Sequence, residues 1–230
     1  MNALTITGLT YRYPSGAAAL DGVNLEIPAG SKTALVGKNG SGKSTLLLHI
    51  NGLLDGEGSI EVMGITRHRK TMPLIREKTG LLFGQTEYHF IMTDLLRDVM
   101  LGVPGRLTPR QKRDRAMEWL TRFGLDRYAS TSPLDLSAGE MKRAALAGVL
   151  AKEPELLVLD EPLSGLDRRS AAGLIDILKS IDTTMIIATH RLYLVKNLAT
   201  HVAHMDKGRI TGLYTAAAGL KRKEIRDLLF

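Results

Sequence analysis

Nine consecutive residues, Gly37-Lys38-Asn39-Gly40-Ser41-Gly42-Lys43-Ser44-Thr45, separate the apolar run Thr33-Ala34-Leu35-Val36 from Leu46-Leu47-Leu48. A short apolar run closed by glycine reads as a buried strand, and the apolar residues beyond the glycines open a helix. The segment matches G-x-x-x-x-G-K-[ST] in the strand-to-helix setting that gives this pattern its meaning. Glycines at 37, 40 and 42 let the backbone turn sharply with its N–H groups facing inward, where a side chain would block an approaching phosphate. Lys43 then supplies a point charge to the β and γ phosphates of ATP and Ser44 a hydroxyl to Mg2+. The N-terminus of the helix adds a partial positive charge. Asn39, Ser41 and Thr45 complete the nucleotide-binding stretch. A bare glycine turn capping a helix would have no use for Lys-Ser after its third glycine.

Two later apolar runs, Leu156-Leu157-Val158-Leu159 and Met185-Ile186-Ile187-Ala188, are again short and lead into polar clusters and helical periodicity. That is how a buried parallel sheet reads. Parallel strands finish at one edge, and ligands bind outside their carboxyl ends. The two runs end there in Asp160-Glu161 and Thr189-His190. Asp160 is placed to hold magnesium and Glu161 to orient or deprotonate the attacking water. His190 is expected at the edge where the γ-phosphate lies. His201 and His204, three apart with no third ligand in view, read as packing or surface residues.

The N-terminal part has a different texture. Strands are expected over Leu4 to Leu9, Tyr11 to Tyr13 and Val23 to Ile27, the last two closed by Pro14-Ser15-Gly16 and Pro28-Ala29-Gly30, with antiparallel pairing. A further strand is expected over Ser59 to Met63. Thr108-Pro109-Arg110-Gln111 combines an N-cap, a proline at the first helical position and a capping-box glutamine. Ala116, Trp119, Leu120 and Phe123 then recur at helical spacing before Gly124, which makes Trp119 a core residue rather than a base-stacking one.

Composition narrows the classes. The 230 residues hold no cysteine, which removes disulfides and thiolate metal sites and fits a reducing cytoplasm. The longest apolar-plus-glycine stretch, Ala144 to Ala151, is far short of the roughly 20 residues a membrane-spanning helix needs. Residues Met1 to Tyr13 have neither the basic start nor the apolar core of a secretory signal. A formal net charge of +7 favours an anionic partner. Arg67-His68-Arg69-Lys70 and Lys221-Arg222-Lys223 read as solvated charge runs rather than binding patches.

Leu136-Ser137-Ala138-Gly139-Glu140 is physically a helix start, with Ser137 as N-cap and Glu140 at the capping-box position. It resembles the signature motif of ATP-binding-cassette (ABC) ATPases, and the likeness extends through the chain. The resemblance implies a P-loop NTPase of α/β class: a mostly parallel core sheet, an antiparallel N-terminal β subdomain and a helical signature subdomain. Residues 1–230 would form a single ATPase domain with the helical part at about 91–150. It also implies a head-to-tail dimer, with a second copy or a paralogue, in which Ser137 and Gly139 address the γ-phosphate held by the partner. Tyr13 resembles the aromatic that stacks on adenine, and Gln85 the glutamine that links nucleotide and magnesium to the transport partner. Ser164-Gly165-Leu166-Asp167 resembles the D-loop, and His190 the switch histidine. Ala138 stands where the family has glycine and is tolerated only at negative φ.

Gly80-Leu81-Leu82-Phe83, Asp98-Val99-Met100-Leu101-Gly102 and Ala147-Gly148-Val149-Leu150-Ala151-Lys152-Glu153-Pro154 resemble the energy-coupling-factor group more narrowly. The Asn-Pro usual after the glutamine is Thr86-Glu87 here. This likeness implies uptake of a vitamin such as biotin, or of cobalt or nickel ions. The chain would work at the cytoplasmic face of the membrane, bound peripherally to a transmembrane coupling subunit and a substrate-binding membrane subunit. A non-transport cassette acting on nucleic acid or the ribosome is the alternative. Against it stand a single cassette, no heptad insertion between Lys43 and Ser137 and no cysteines for zinc modules, so direct nucleic-acid binding is not expected.

Overall fold

The computed structural model describes residues 1–230, the side chain of Glu87 excepted. The chain forms two compact units: Met1–Thr79 with Glu155–Glu161 and Asp182–Phe230, and Gly80–Pro154 with Pro162–Ile181.

The first unit begins with an antiparallel sheet of β1 (Asn2–Arg12), β2 (Ala18–Pro28), β4 (Glu57–Val62) and β5 (Ile65–Thr66), ordered β2-β1-β4-β5. The antiparallel pairing expected of the N-terminal strands is present, but the two segments around Thr10 are one strand. Register shifts between Ile6 and Leu9 and between Leu9 and Tyr11 absorb the irregularity without a break, as bulges do. Met63, expected inside a strand, lies beyond the end of β4 with φ 49 and forms a turn with Gly64.

The second sheet of this unit contains β3 (Lys32–Val36), β7 (Leu156–Asp160), β8 (Thr184–Ala188), β9 (His201–Asp206) and β10 (Arg209–Thr215), in the order β10-β9-β3-β8-β7. β3 pairs in parallel with β8 and β9, and β7 with β8, while β10 returns antiparallel to β9. The three expected apolar runs are thus adjacent parallel strands. Their side chains, including Ala34, Leu35, Val36, Leu157, Val158, Ile186 and Ile187, have no exposed surface. Ala188 is the register partner of both Leu35 and Asp160, so these strand ends lie level. That register sets the edge from which the functional loops depart. Helices α1 (Lys43–Ile50), α2 (Met72–Lys78), α7 (Leu192–Leu198), α8 (Ala216–Gly219) and α9 (Lys223–Arg226) complete the unit.

One charge run differs from expectation. Arg67 is not solvated: only 10% of its side chain is exposed, and it donates to the carbonyls of His49 (3.2 Å) and Leu54 (2.9 Å) and to Asp55 (2.7 Å). His68, Arg69 and Lys70 are exposed as expected.

The chain passes through β6 (Thr79–Leu82) into the second unit, built on α3 (Leu95–Gly102), α4 (Pro109–Arg122), α5 (Ala138–Ala151) and α6 (Arg168–Lys179). Both expected capping boxes are formed, Thr108 with Gln111 and Ser137 with Glu140. Ala116, Trp119, Leu120 and Phe123 are buried in the stripe that helical spacing required. Gly124 follows at φ 66, ending α4.

Candidate functional site

The loop after β3 and the residues after β7 meet in one cleft of the first unit, about 500 Å³ in volume. Tyr13, Ala17, Ala18, Ala19, Asn39, Gly40, Gly42, Lys43, Ser44, Thr45, Asp160 and Glu161 line it. The glycines of the loop are sterically required. A Cβ on Gly37 would lie 2.2 Å from the Met205 carbonyl oxygen, and one on Gly42, at φ 106, would lie 2.5 Å from that of Ala19. Ser41 packs under the loop with its Oγ buried and without a hydrogen-bond partner among the described residues.

Lys43 Nζ donates to the carbonyls of Gly37 (2.8 Å) and Lys38 (3.1 Å), holding the loop closed on itself. Burial lowers its pKa, while the nearby charges of Glu161 and Asp160 push the other way and favour the ammonium. The cleft therefore presents a desolvated cation beside carboxylates.

Glu161 sits at φ 46, a left-handed conformation uncommon for a residue with a side chain. Its N–H donates to the carbonyl of Ala188 (3.0 Å), which fixes the turn immediately after β7. Strained backbone of this kind persists only where surrounding structure enforces it. Here it points the carboxylate toward His190, whose Nδ1 lies 2.7 Å from Glu161 Oε1. Burial raises the carboxyl pKa of Glu161 above the usual carboxylate value, against the opposing hydrogen bond and charge of His190. The His190 ring is in turn stacked on Phe230, centroids 4.6 Å apart, and its carbonyl accepts from the Phe230 N–H (3.0 Å).

Tyr13 stands at the rim, 37% exposed, in the turn between β1 and β2. Its hydroxyl is 2.9 Å from Thr45 Oγ1 and its ring meets Tyr11 edge-on at 5.1 Å. Tyr11 also packs edge-on against the fully buried His49 of α1 at 4.7 Å. Tyr11 and His49, the alanines Ala17–Ala19 and Phe230 escaped sequence reasoning, because none of them belongs to a local motif.

The residues suit a magnesium–nucleotide ligand. Ser44 and Asp160 offer one hydroxyl and one carboxylate to the same cleft as Lys43. Among the described residues no cluster of three or more His, Cys, Asp or Glu could hold a metal. A cation with so few protein ligands must complete its shell with phosphate oxygens and water, which is the habit of Mg2+.

The other expected site residues belong to the second unit. Gln85 is exposed just before the short helical turn Thr86–His89. Ser137 caps α5, and Ala138, its first helical residue, keeps the negative φ that its side chain requires. A Cβ on Gly139 would lie 3.5 Å from the Leu166 side chain, so the start of α5 and the Ser164–Asp167 segment are neighbours. Asp167 caps α6 by accepting from the N–H groups of Arg169 (2.8 Å) and Ser170 (3.0 Å).

A glycine cradle at the carboxyl edge of a parallel sheet, facing acidic residues of a neighbouring strand, makes this a P-loop nucleotide-binding protein. A family model described as ABC transporter matches residues 20–164. A Gloeobacter violaceus protein named as an ABC transporter ATP-binding protein is 44% identical over 211 residues, covering 90% of this chain and 86% of its own. The energy-coupling factor transporter ATP-binding protein EcfA2 of Lactococcus lactis is 40% identical over 207 residues, 86% of this chain and 72% of that one. CbiO1 of Clostridium perfringens, described as part of the transporter complex CbiONQ, superposes with a TM-score of 0.83 at 33% identity, covering 97% and 92% of the two chains. A dimeric ATP-binding cassette, MJ0796 with ADP and Pi, superposes with a TM-score of 0.84 at 26% identity over 93% and 98%. The chain belongs to the ABC transporter family and is an ATPase of that family.

Proposed function

We propose that this chain is the ATP-hydrolysing subunit of an energy-coupling-factor importer, driving uptake of a vitamin such as biotin or of a transition metal ion such as cobalt or nickel. The observation that carries this reading is the 40% identity to EcfA2 over 86% of the chain, joined to a cleft holding Lys43, Ser44, Asp160 and Glu161 together. The 33% identity to CbiO1 supports the same group.

In this reading the loop from Gly37 to Thr45 binds the triphosphate, with Lys43 exchanging its contacts to Gly37 and Lys38 for phosphate oxygens. Ser44 and Asp160 would hold Mg2+, which when bound neutralises phosphate charge, and Gln85 would link nucleotide to the transport partner. Glu161 accepts a proton from water, and His190 orients its carboxylate. Tyr13 carries the adenine. Ser137, Gly139 and Asp167 act on nucleotide held by a second ATPase chain, a copy or a paralogue, as the dimeric form of MJ0796 suggests. No helix among the described residues is long and apolar enough to cross a membrane. The chain would therefore bind peripherally, at the cytoplasmic face, to separate coupling and substrate-binding membrane subunits.

The test has two arms. Glu161→Gln is expected to retain ATP binding while losing about 10²–10⁴-fold in turnover, the scale of a removed general base. Unchanged turnover would remove Glu161 from the reaction. Affinity purification from membranes of the source cell should recover membrane subunits and a bound vitamin or metal ion. Recovery of ribosomes or nucleic acid instead would favour the non-transport alternative.

A further inference from the structure

The second unit contains a cavity of about 490 Å³ that the proposed ATPase cycle does not use, set where α4, α5 and α6 meet. Arg122, Arg143 and Arg169 line it together with Phe123, Ser170 and Leu174, and no acidic residue is among its lining. Five of the arginines outside the cavity pair with carboxylates, Arg67 with Asp55, Arg97 with Asp94, Arg115 with Glu153, Arg209 with Asp21 and Arg222 with Glu224, so the absence of a pair is not peculiar to the cavity; what sets it apart is the convergence of three arginines on one concavity. Among the described residues, none of the three cavity guanidiniums is in such a pair.

The Arg122 guanidinium lies over the Trp119 ring, 4.7 Å from its centroid. Arg143 Nε is buried with no hydrogen-bond partner among the described residues. Its charge is felt by Glu140, but that carboxylate is engaged by the Ser137 hydroxyl (2.6 Å) and N–H (3.0 Å) in the α5 capping box. Asp167, two residues before Arg169, accepts from Ser170 Oγ at Oδ2 (2.7 Å) and is thus engaged at the helix cap. Three like charges around one concavity repel, and a buried guanidinium donor without an acceptor is unfavourable. An anion between them relieves both conditions, and arginine forks match phosphate oxygens in geometry.

We propose that this cavity binds a phosphorylated small molecule, its phosphate on Arg122, Arg143 and Arg169 and its organic part against Phe123 and Leu174. The volume is within the range of small-ligand sites and equals the nucleotide cleft in scale. Because Ser137 caps α5 and Asp167 caps α6, a ligand bridging the two helices sets the spacing of segments assigned above to the partner's nucleotide. Occupancy therefore modulates ATP hydrolysis; this last step rests on the proposed function, whereas the binding site does not.

The probe is 4-methylumbelliferyl phosphate, titrated calorimetrically against the full chain carrying Lys43→Ala so that the phosphate loop does not compete. Saturable binding is expected, displaced by inorganic phosphate and weakened at least tenfold when Arg122→Gln and Arg169→Gln are added. Both arginines are exposed on their helices, and an unchanged melting temperature confirms that these variants fold. Absence of saturable binding, equal affinity in the arginine variants, or equally tight binding of unphosphorylated 4-methylumbelliferone overturns the site. Binding with no change in ATP turnover of the chain with Lys43 intact overturns the modulation and leaves the site standing.

Discussion

Asp160 and Leu35 share one register partner, Ala188, so the strands carrying the acidic pair and the phosphate loop end level with β8 between them. From that relationship the rest of the site follows. Thr189 and His190 leave the middle strand at the same height, and the left-handed turn at Glu161 brings its carboxylate to the histidine, 2.7 Å from Nδ1. A slip of one residue in either parallel pairing would move these groups to opposite faces of the sheet. The chemistry is thus specified by register in the core as much as by the polar residues themselves.

The pairing of His190 with Glu161 gives a pH prediction. Burial lifts the Glu161 carboxyl pKa, and the histidine's hydrogen bond and charge oppose that lift. A general base works only when ionised, so turnover is lost as pH falls through its folded pKa. His190→Ala removes the opposing interaction and is expected to move this acid limb to higher pH, besides lowering the maximal rate. A turnover–pH profile of the variant with its limb in the wild-type position would show that His190 does not act through Glu161.

Tyr13 is held by two contacts that differ in kind: its hydroxyl reaches Thr45 Oγ1 at 2.9 Å, and its ring rests edge-on against Tyr11. If the ring carries adenine, Tyr13→Phe keeps the stacking surface and should weaken ATP by no more than about 0.5–1.5 kcal/mol, the net worth of the one hydrogen bond lost. Tyr13→Ala should weaken ATP by about 1–3 kcal/mol, the scale of base–aromatic stacking. Equal ATP dissociation constants for the Phe and Ala variants, measured calorimetrically, would mean that the ring does not touch the base.

What the sequence discloses is what local chemistry determines. Strands of four apolar residues, the glycine cradle and both capping boxes each depend on residues within one or two turns of one another, and each lies where periodicity and spacing put it. The parallel sheet is legible for the same reason, because residues buried on both faces leave continuous apolar runs such as Leu156–Leu159. Arg67 is misread because its acceptors, the carbonyls of His49 and Leu54, come from the last turn of α1 and the loop after it and have no signature in a basic run. The left-handed φ of Glu161 is invisible beforehand because a glutamate does not advertise it. Phe230 under His190 is a contact across forty residues that only the fold creates.

Trp119 separates packing from ligand binding. It is 6% exposed, lies beneath the Arg122 guanidinium and faces Phe123 with ring centroids 6.4 Å apart, while its indole N–H is buried without a partner among the described residues. Trp119→Ala should reduce unfolding free energy by about 3–5 kcal/mol, as for other large-to-small changes in a core. Trp119→Phe should cost less, because it deletes the unsatisfied donor with the indole. Denaturant titration reads both. A mild loss in the Ala variant accompanied by a large loss of ATP affinity would assign the ring to nucleotide instead.

The cap of α5 makes stability itself depend on acid. Glu140 is held in its ionised form mainly by the Ser137 hydroxyl, then by Tyr128 and the Ser137 N–H, so that its pKa falls from the usual 4.5 to about 2. A carboxyl depressed on folding contributes stability that is complete above its unfolded pKa and disappears as pH falls through the folded one. The window here runs from about 4.5 down to about 2. Ser137→Ala removes the largest of these interactions, along with the cap on the Glu140 N–H (3.4 Å). At neutral pH it should cost about 0.5–2 kcal/mol, the usual worth of an N-cap. Because the variant's Glu140 titrates nearer its unfolded value, its stability should fall less steeply than the wild type's between pH 4.5 and 2. Parallel wild-type and variant curves of melting temperature against pH would show that the hydroxyl does not set the glutamate's acidity.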